Sequence, residues 1–193
     1  RSSDLGSQQD VESAANFYTQ AYGIYDLMVV ADADGKVVGV NTVKPDGSPL
    51  AAQKLIGTSV RGEEWFERCI SGSVAAGQAY YSDLNADAAV AGVLGTRGLA
   101  LNFAAPVRDA EGKVVRVWSN RASWERIVTE IMTETRTRLE ARGLHAHTHV
   151  LSKAGVVLDD VDADEVLVTN LASEGSEAAA RGTKGETGYT RER

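Results

Sequence analysis

Apolar residues recur at every second position through residues 98–107, where Leu99, Leu101, Phe103, Ala105 and Val107 would share one face of a strand. A turn follows at Asp109-Ala110-Glu111-Gly112, ending in a glycine that tolerates positive φ. Residues 113–120 resume the strand, with Val115, Val117 and Ser119 on one face and Val114, Arg116, Trp118 and Asn120 on the other. A weaker copy of this hairpin lies at residues 27–40, with the same Gly-Lys-Val-Val string after an Asp-containing turn. Two such hairpins predict a four-stranded antiparallel sheet. Residues 78–83 (Gln-Ala-Tyr-Tyr-Ser-Asp) add a fifth strand.

Helical spacing appears on either side. Val11, Ala14, Ala15, Tyr18 and Ala21 predict a helix over residues 4–22, capped by Ser7 or Asp4. Short helices are expected at 51–55 and 62–71, the second with Trp65, Phe66, Cys69 and Ile70 on its apolar side. Residues 85–97 read as an Ala- and Gly-rich loop. Ser123 is expected to cap a long helix that carries Trp124, Ile127, Ile131 and Leu139 and stops at Gly143. The pattern then restarts, with strands at 147–152 and 156–159, a helix at 164–172 and a polar, Gly-rich tail. The expected class is α+β: a five-stranded antiparallel sheet flanked by a long N-terminal helix and a long helix after the last strand, plus a small second α/β module. The boundaries are 1–142 and 143–193.

Composition narrows the functional classes. The net charge is −7 and the twenty Lys and Arg are scattered, so no basic patch is present for nucleic acid. The single cysteine, Cys69, rules out an internal disulfide. No apolar run approaches the roughly 18 residues that read as a membrane span. The chain starts on Arg-Ser-Ser rather than Met, which reads as a segment trimmed at both ends.

Candidate chemistry is sparse. There is no nucleophile elbow, Walker loop, Gly-x-Gly-x-x-Gly or His-Glu-x-x-His, so no enzyme is expected and no cofactor is assigned. His145, His147 and His149 alternate in His-Ala-His-Thr-His and would share one side of a strand. Three same-side histidines on one strand rarely converge on zinc without a separate carboxylate, and a pH-sensitive or merely exposed strand is the expected reading, so no metal site is assigned. The more informative stretch is 59–69, where Arg61 precedes Trp65 and Phe66, with Tyr80 and Tyr81 on the next strand. A planar guanidinium among aromatic rings suits a carboxylate in a small-ligand pocket. The alternative, with Trp65 and Phe66 in the core and Arg61 at the surface, stays open.

The order helix, strand, Asp-x-x-Gly hairpin, Arg-to-Trp-Phe segment, Tyr strand and Pro106-Val-Arg-Asp-Ala-Glu-Gly-Lys-Val resembles the Cache (extracellular PAS-like) sensor module of bacterial chemoreceptors and histidine kinases. The resemblance covers about 11–142, and Thr148-His-Val-Leu-Ser-Lys-Ala-Gly-Val-Val-Leu is similar to the opening of the membrane-proximal module of a double Cache domain. It implies a PAS-like sheet in a ligand-binding domain on the periplasmic or extracellular side. The domain would be held by flanking membrane spans in a homodimeric methyl-accepting chemotaxis receptor, or in a histidine kinase, and would signal by helix displacement. Members that bind amino acids use an Arg, a Trp and a Tyr near the first pocket helix and an Asp on the last strand. Arg61, Trp65 and Phe66 resemble the first set at longer spacing, while Trp118-Ser119-Asn120 stands where the Asp would fall. The implied ligand is therefore a small carboxylate without an α-amino group, such as acetate. It would be held by Arg61, Trp65, Phe66, Tyr80, Tyr81, Asn102, Trp118 and Asn120. A structural, dimer-forming stalk without a small-molecule ligand is the other reading.

Overall fold

The computed structural model describes residues 7–188 and residue 190. Ser7 starts the first helix, α1 (Gln8–Tyr22), through a capping box with Asp10, and Gly23 at φ 71° ends it. The expected helix start at residues 4–6 lies outside the described residues. Strand β1 (Tyr25–Asp32) turns back through Gly35 into β2 (Val37–Val40). A single 3₁₀ turn (Gln53–Leu55) and α2 (Glu64–Ile70) follow, then the short strands β3 (Tyr80–Tyr81) and β4 (Asn85–Ala86), and α3 (Ala88–Leu94). The long hairpin is β5 (Leu99–Arg108) and β6 (Val114–Ser123).

These strands form one antiparallel sheet in the order β2-β1-β6-β5-β3, so the two repeated hairpins meet along β1 and β6. The fold is α+β, with the antiparallel sheet of a PAS-like domain. The five expected strands gain a sixth, because β4 pairs with β5 alongside β3.

Helix α2 covers one face of the sheet and α1 covers the β1–β2 part of the other, and the pairing register sorts the side chains between them. Leu27, Val29 and Ala31 of β1 stand opposite Arg121, Ser119 and Val117 of β6, and all face the layer that contains α2. There Trp65, Phe66 and Cys69 complete a core with Ala100 and Ala104 of β5. Each of those two rings removes about 150–250 Å² from water, which makes them the principal apolar contribution of this layer. Met28 and Val30 face the other way, toward α1. Gly39 of β2 permits this approach, since a Cβ there would fall 2.1 Å from Val11 Cγ1.

The expected apolar face of β5 proves to be the less buried one. Ala100, Asn102 and Ala104 point into the core, whereas Phe103 is 38 % exposed. Small residues fit beneath the bulky rings of α2, and the larger side chains occupy the more open face.

Contacts divide the chain into two compact units, Arg1–Trp124 and Glu125–Arg193. This division groups the helix after β6 with the second unit. Ser123 is the last residue of β6 rather than a helix cap, and a π-helical turn (Glu125–Thr129) precedes α4 (Glu130–Glu140). The second unit also contains β7 (Val150–Leu151), β8 (Val157–Asp159) and α5 (Glu177–Gly182). The expected helix at 164–172 is reduced to one 3₁₀ turn (Ala163–Glu165). The expected polar tail instead holds α5, capped by the Ser176 hydroxyl. Among the described residues no helix is long and apolar enough to cross a membrane.

Candidate functional site

Alternation along β6 sends Val117, Ser119 and Arg121 to the α2 face, and Arg121 ends up with only 4 % of its side chain exposed. A guanidinium that deep requires partners. Its Nε donates to Asp87 Oδ2 at 3.1 Å and its Nη1 to Ser119 Oγ at 2.7 Å. Ser119 in turn donates to Asn102 Oδ1 at 2.6 Å. The guanidinium carbon lies 4.9 Å from the centroid of the Trp65 ring, within cation–π range. Burial lowers the Arg121 pKa, and the negative charges of Asp87 and Glu63 oppose that shift. An arginine remains protonated under either influence.

Asp87 is placed by local backbone chemistry. It is the N-cap of α3, where its Oδ1 accepts from the Val90 N–H at 2.9 Å. Its own N–H donates to the Gly98 carbonyl, and a Cβ on Gly98 would lie 2.3 Å from the Asp87 carbonyl oxygen. Only glycine brings the start of β5 this close to the cap, at φ 70°. One carboxylate thus starts a helix and neutralises a buried cation.

Arg121 and Asp87 line a cavity of about 320 Å³. Val29, Val37, Leu55 and Val60 give it apolar walls, and Thr58, Ser59, Asn85 and Glu63 supply polar groups. Glu63 is exposed and begins α2 without a side-chain cap bond. The volume lies at the low end of the range for small-molecule sites, whose walls are likewise largely apolar with a few polar groups.

The eight residues expected at the site do not converge. Arg61 lies in the turn before α2 and is 64 % exposed; its Nε donates to the Asp34 carbonyl at 2.5 Å and its Nη2 pairs with Asp34 Oδ1 at 3.4 Å. It packs on the β1–β2 turn, not in this cavity. Phe66 is core. Trp65 is buried in the core as well, yet its ring carries the Arg121 guanidinium, and its Nε1–H is buried without an acceptor. Tyr80 is half-buried against the same core, its pKa raised by burial first and by Glu64 second. Tyr81 is 75 % exposed. Asn102 joins the Ser119–Arg121 chain. Trp118 and Asn120 are on the opposite face of the sheet, where Trp118 Nε1 donates to Asn120 Oδ1 at 2.6 Å and its ring meets Tyr18 of α1 edge-on.

Arg121, Asp87 and Glu63 were not anticipated. One step further along the Val115–Val117–Ser119 alternation reaches Arg121, so that residue had a signal. Asp87 sat in a stretch read as loop.

No protein-family model matches the chain, and no curated protein matches it. Solved structures do. A domain of a putative sensory box/GGDEF family protein from Vibrio parahaemolyticus aligns over 96 % of this chain and 70 % of its own, with a TM-score of 0.66 at 14 % identity. An extracellular ligand binding receptor from Desulfohalobium retbaense aligns over 94 % of this chain, with a TM-score of 0.63 at 16 % identity. The chain has a Cache-like fold. The ligand-binding domain of the Pseudomonas aeruginosa amino acid chemoreceptor PctC, in complex with GABA, aligns over 87 % of this chain with a TM-score of 0.54 at 19 % identity. The chain spans 29 % of the Desulfohalobium receptor and 62 % of the PctC domain. Two of these neighbours, the Desulfohalobium receptor and the PctC domain, are ligand-binding.

Proposed function

We propose that this chain is the extracytoplasmic sensing module of a membrane-anchored, homodimeric bacterial chemoreceptor. Its first unit, the membrane-distal module, binds a small molecule in the Arg121 cavity, and the second unit is a reduced membrane-proximal module. The buried Arg121 beside Asp87, stacked on Trp65 and lining a cavity of about 320 Å³, carries this reading. A ligand that displaced Arg121 would move β6, and the chain runs from β6 directly into the turn before α4. That continuity supports signalling by helix displacement.

The expected ligand, a small carboxylate without an α-amino group, is replaced by a small molecule with both a carboxylate and an amino group. One guanidinium in the cavity faces two carboxylates, Asp87 and Glu63, so a lone carboxylate such as acetate would enter a site with an excess of negative charge. A zwitterion places its carboxylate on the planar fork of Arg121 and its ammonium at Glu63. The GABA bound by the similarly folded PctC domain is of this class.

The stalk reading has its own support. Arg61 is in solvent and Trp65 is packed in the core, and Arg121 already has protein partners. Calorimetric titration with acetate, propionate, lactate, GABA and a panel of amino acids separates the two. The sensor reading expects saturable binding of a zwitterion that weakens in Glu63→Gln and is unchanged in Arg61→Ala. Heats of dilution across the whole panel would favour the stalk.

A further inference from the structure

The carboxylate missing from the sequence-level reading of His-Ala-His-Thr-His is Asp160. Val150 of β7 pairs with Asp159 of β8, the last pair of this ladder; one residue beyond it on each chain stand His149 and Asp160, and His147 lies two residues further along. The side chains follow this register. His147 Nε2 lies 2.9 Å from Asp160 Oδ1, and His149 Nδ1 contacts Asp160 Oδ2. The two imidazole rings are 4.4 Å apart between centroids, and one donor atom from each of the three residues falls within 4.8 Å of the others. Asp160 is held from behind: its side chain is 2 % exposed, and its Oδ1 accepts the Asp162 N–H at 2.8 Å. Its neighbour Asp159 is engaged elsewhere, with Thr129 and Arg136.

We propose that His147, His149 and Asp160 form a binding site for a divalent transition-metal ion, with zinc the best-fitting case. Two imidazole nitrogens and one carboxylate oxygen are a donor set that zinc accepts with one further position left to water or an exogenous ligand. Calcium and magnesium take oxygen donors and do not fit two imidazoles. Simple ion pairing of both rings with Asp160 would set two imidazolium charges side by side, whereas one cation among the three donors serves all of them. His147 is 57 % exposed, so an ion reaches the site without opening the fold. His145 is outside the cluster.

The test is calorimetric titration of the metal-stripped full chain with zinc chloride, repeated with cobalt(II) to read visible d–d absorption. The proposal expects one ion per chain and a tetrahedral cobalt spectrum. Affinity should fall in His147→Gln by more than the roughly tenfold that altering even a ligand's neighbours typically costs. His145→Gln should bind as the parent does. His147 is exposed, so its substitution leaves folding intact and the comparison stays readable; Asp160→Asn, checked by circular dichroism, should also lose binding. Absence of saturable binding, or binding that survives His147→Gln, overturns the site. Loss in His145→Gln assigns the ion to other histidines and overturns it equally.

Discussion

Asp87 and Arg121, 34 residues apart in sequence, meet at 3.1 Å with 13 % and 4 % of their side chains exposed. Taking one member away strands the other in a low-dielectric layer. Asp87→Asn keeps a capable N-cap for α3 but removes the charge opposite Arg121. The expected loss is about 3–5 kcal/mol in urea unfolding. Arg121→Met in the same chain should restore a large part of it. A loss near zero for Asp87→Asn alone would show that the pair is solvated and that the buried-cation argument does not hold.

Gly39 sets the distance between β2 and α1. Gly39→Ala places a methyl 2.1 Å from Val11 Cγ1 and should cost on the order of 1–3 kcal/mol by overpacking. Val11→Ala removes the nearer obstructing atom, Cγ1, and leaves only Cβ at 2.9 Å, so the double variant should be less destabilised than the two single losses added together. Strict additivity in thermal unfolding would place the close approach elsewhere.

Asn41, fully buried, accepts the Met28 N–H through its Oδ1 at 2.7 Å and donates through Nδ2 to the Val43 carbonyl at 3.0 Å. It continues the β1–β2 pairing after β2 ends. Asn41→Leu keeps volume but leaves the Met28 amide without its acceptor, for an expected loss of about 1–3 kcal/mol. Hydrogen exchange at Met28 should accelerate with it; an unchanged Met28 exchange rate would contradict the assignment.

Cys69 is fully buried beneath α2, and burial pushes its thiol pKa up to about 11. Thiolate is the reactive form, so at pH 8 the native protein should not react with a disulfide reagent. One equivalent should react after unfolding in guanidinium, matching the single cysteine of the sequence. Rapid labelling of the folded chain would show that α2 opens readily.

The repeated Gly-Lys-Val-Val hairpins were legible because alternation and turn chemistry are local properties, and they became β1–β2 and β5–β6. The site was less legible for a physical reason. Trp65, Phe66 and Arg61 are close in sequence, but the turn at Arg61 points away from the face that α2 buries. Trp118 and Asn120 share a strand with Arg121 and, by the two-residue period, lie on the other side of the sheet. Asp87 is joined to Arg121 only through sheet pairing across β5 and β6, which no spacing rule reports. Asp160 eluded the histidine motif for the same reason: the pairing of β7 with β8 brings the residues just beyond their ends, His149 and Asp160, together.

The proposed ligand contact is Arg121, not Arg61. The most direct measurement follows the arginine Nε–Hε resonances by ¹⁵N-correlated nuclear magnetic resonance, assigned with Arg121→Lys and Arg61→Lys, as GABA and the amino acid panel are titrated in. A zwitterionic ligand is expected to shift the Arg121 resonance in a saturable way and to leave that of Arg61 in place. Movement at Arg61 with Arg121 unchanged, or no movement at either across the panel, would contradict it.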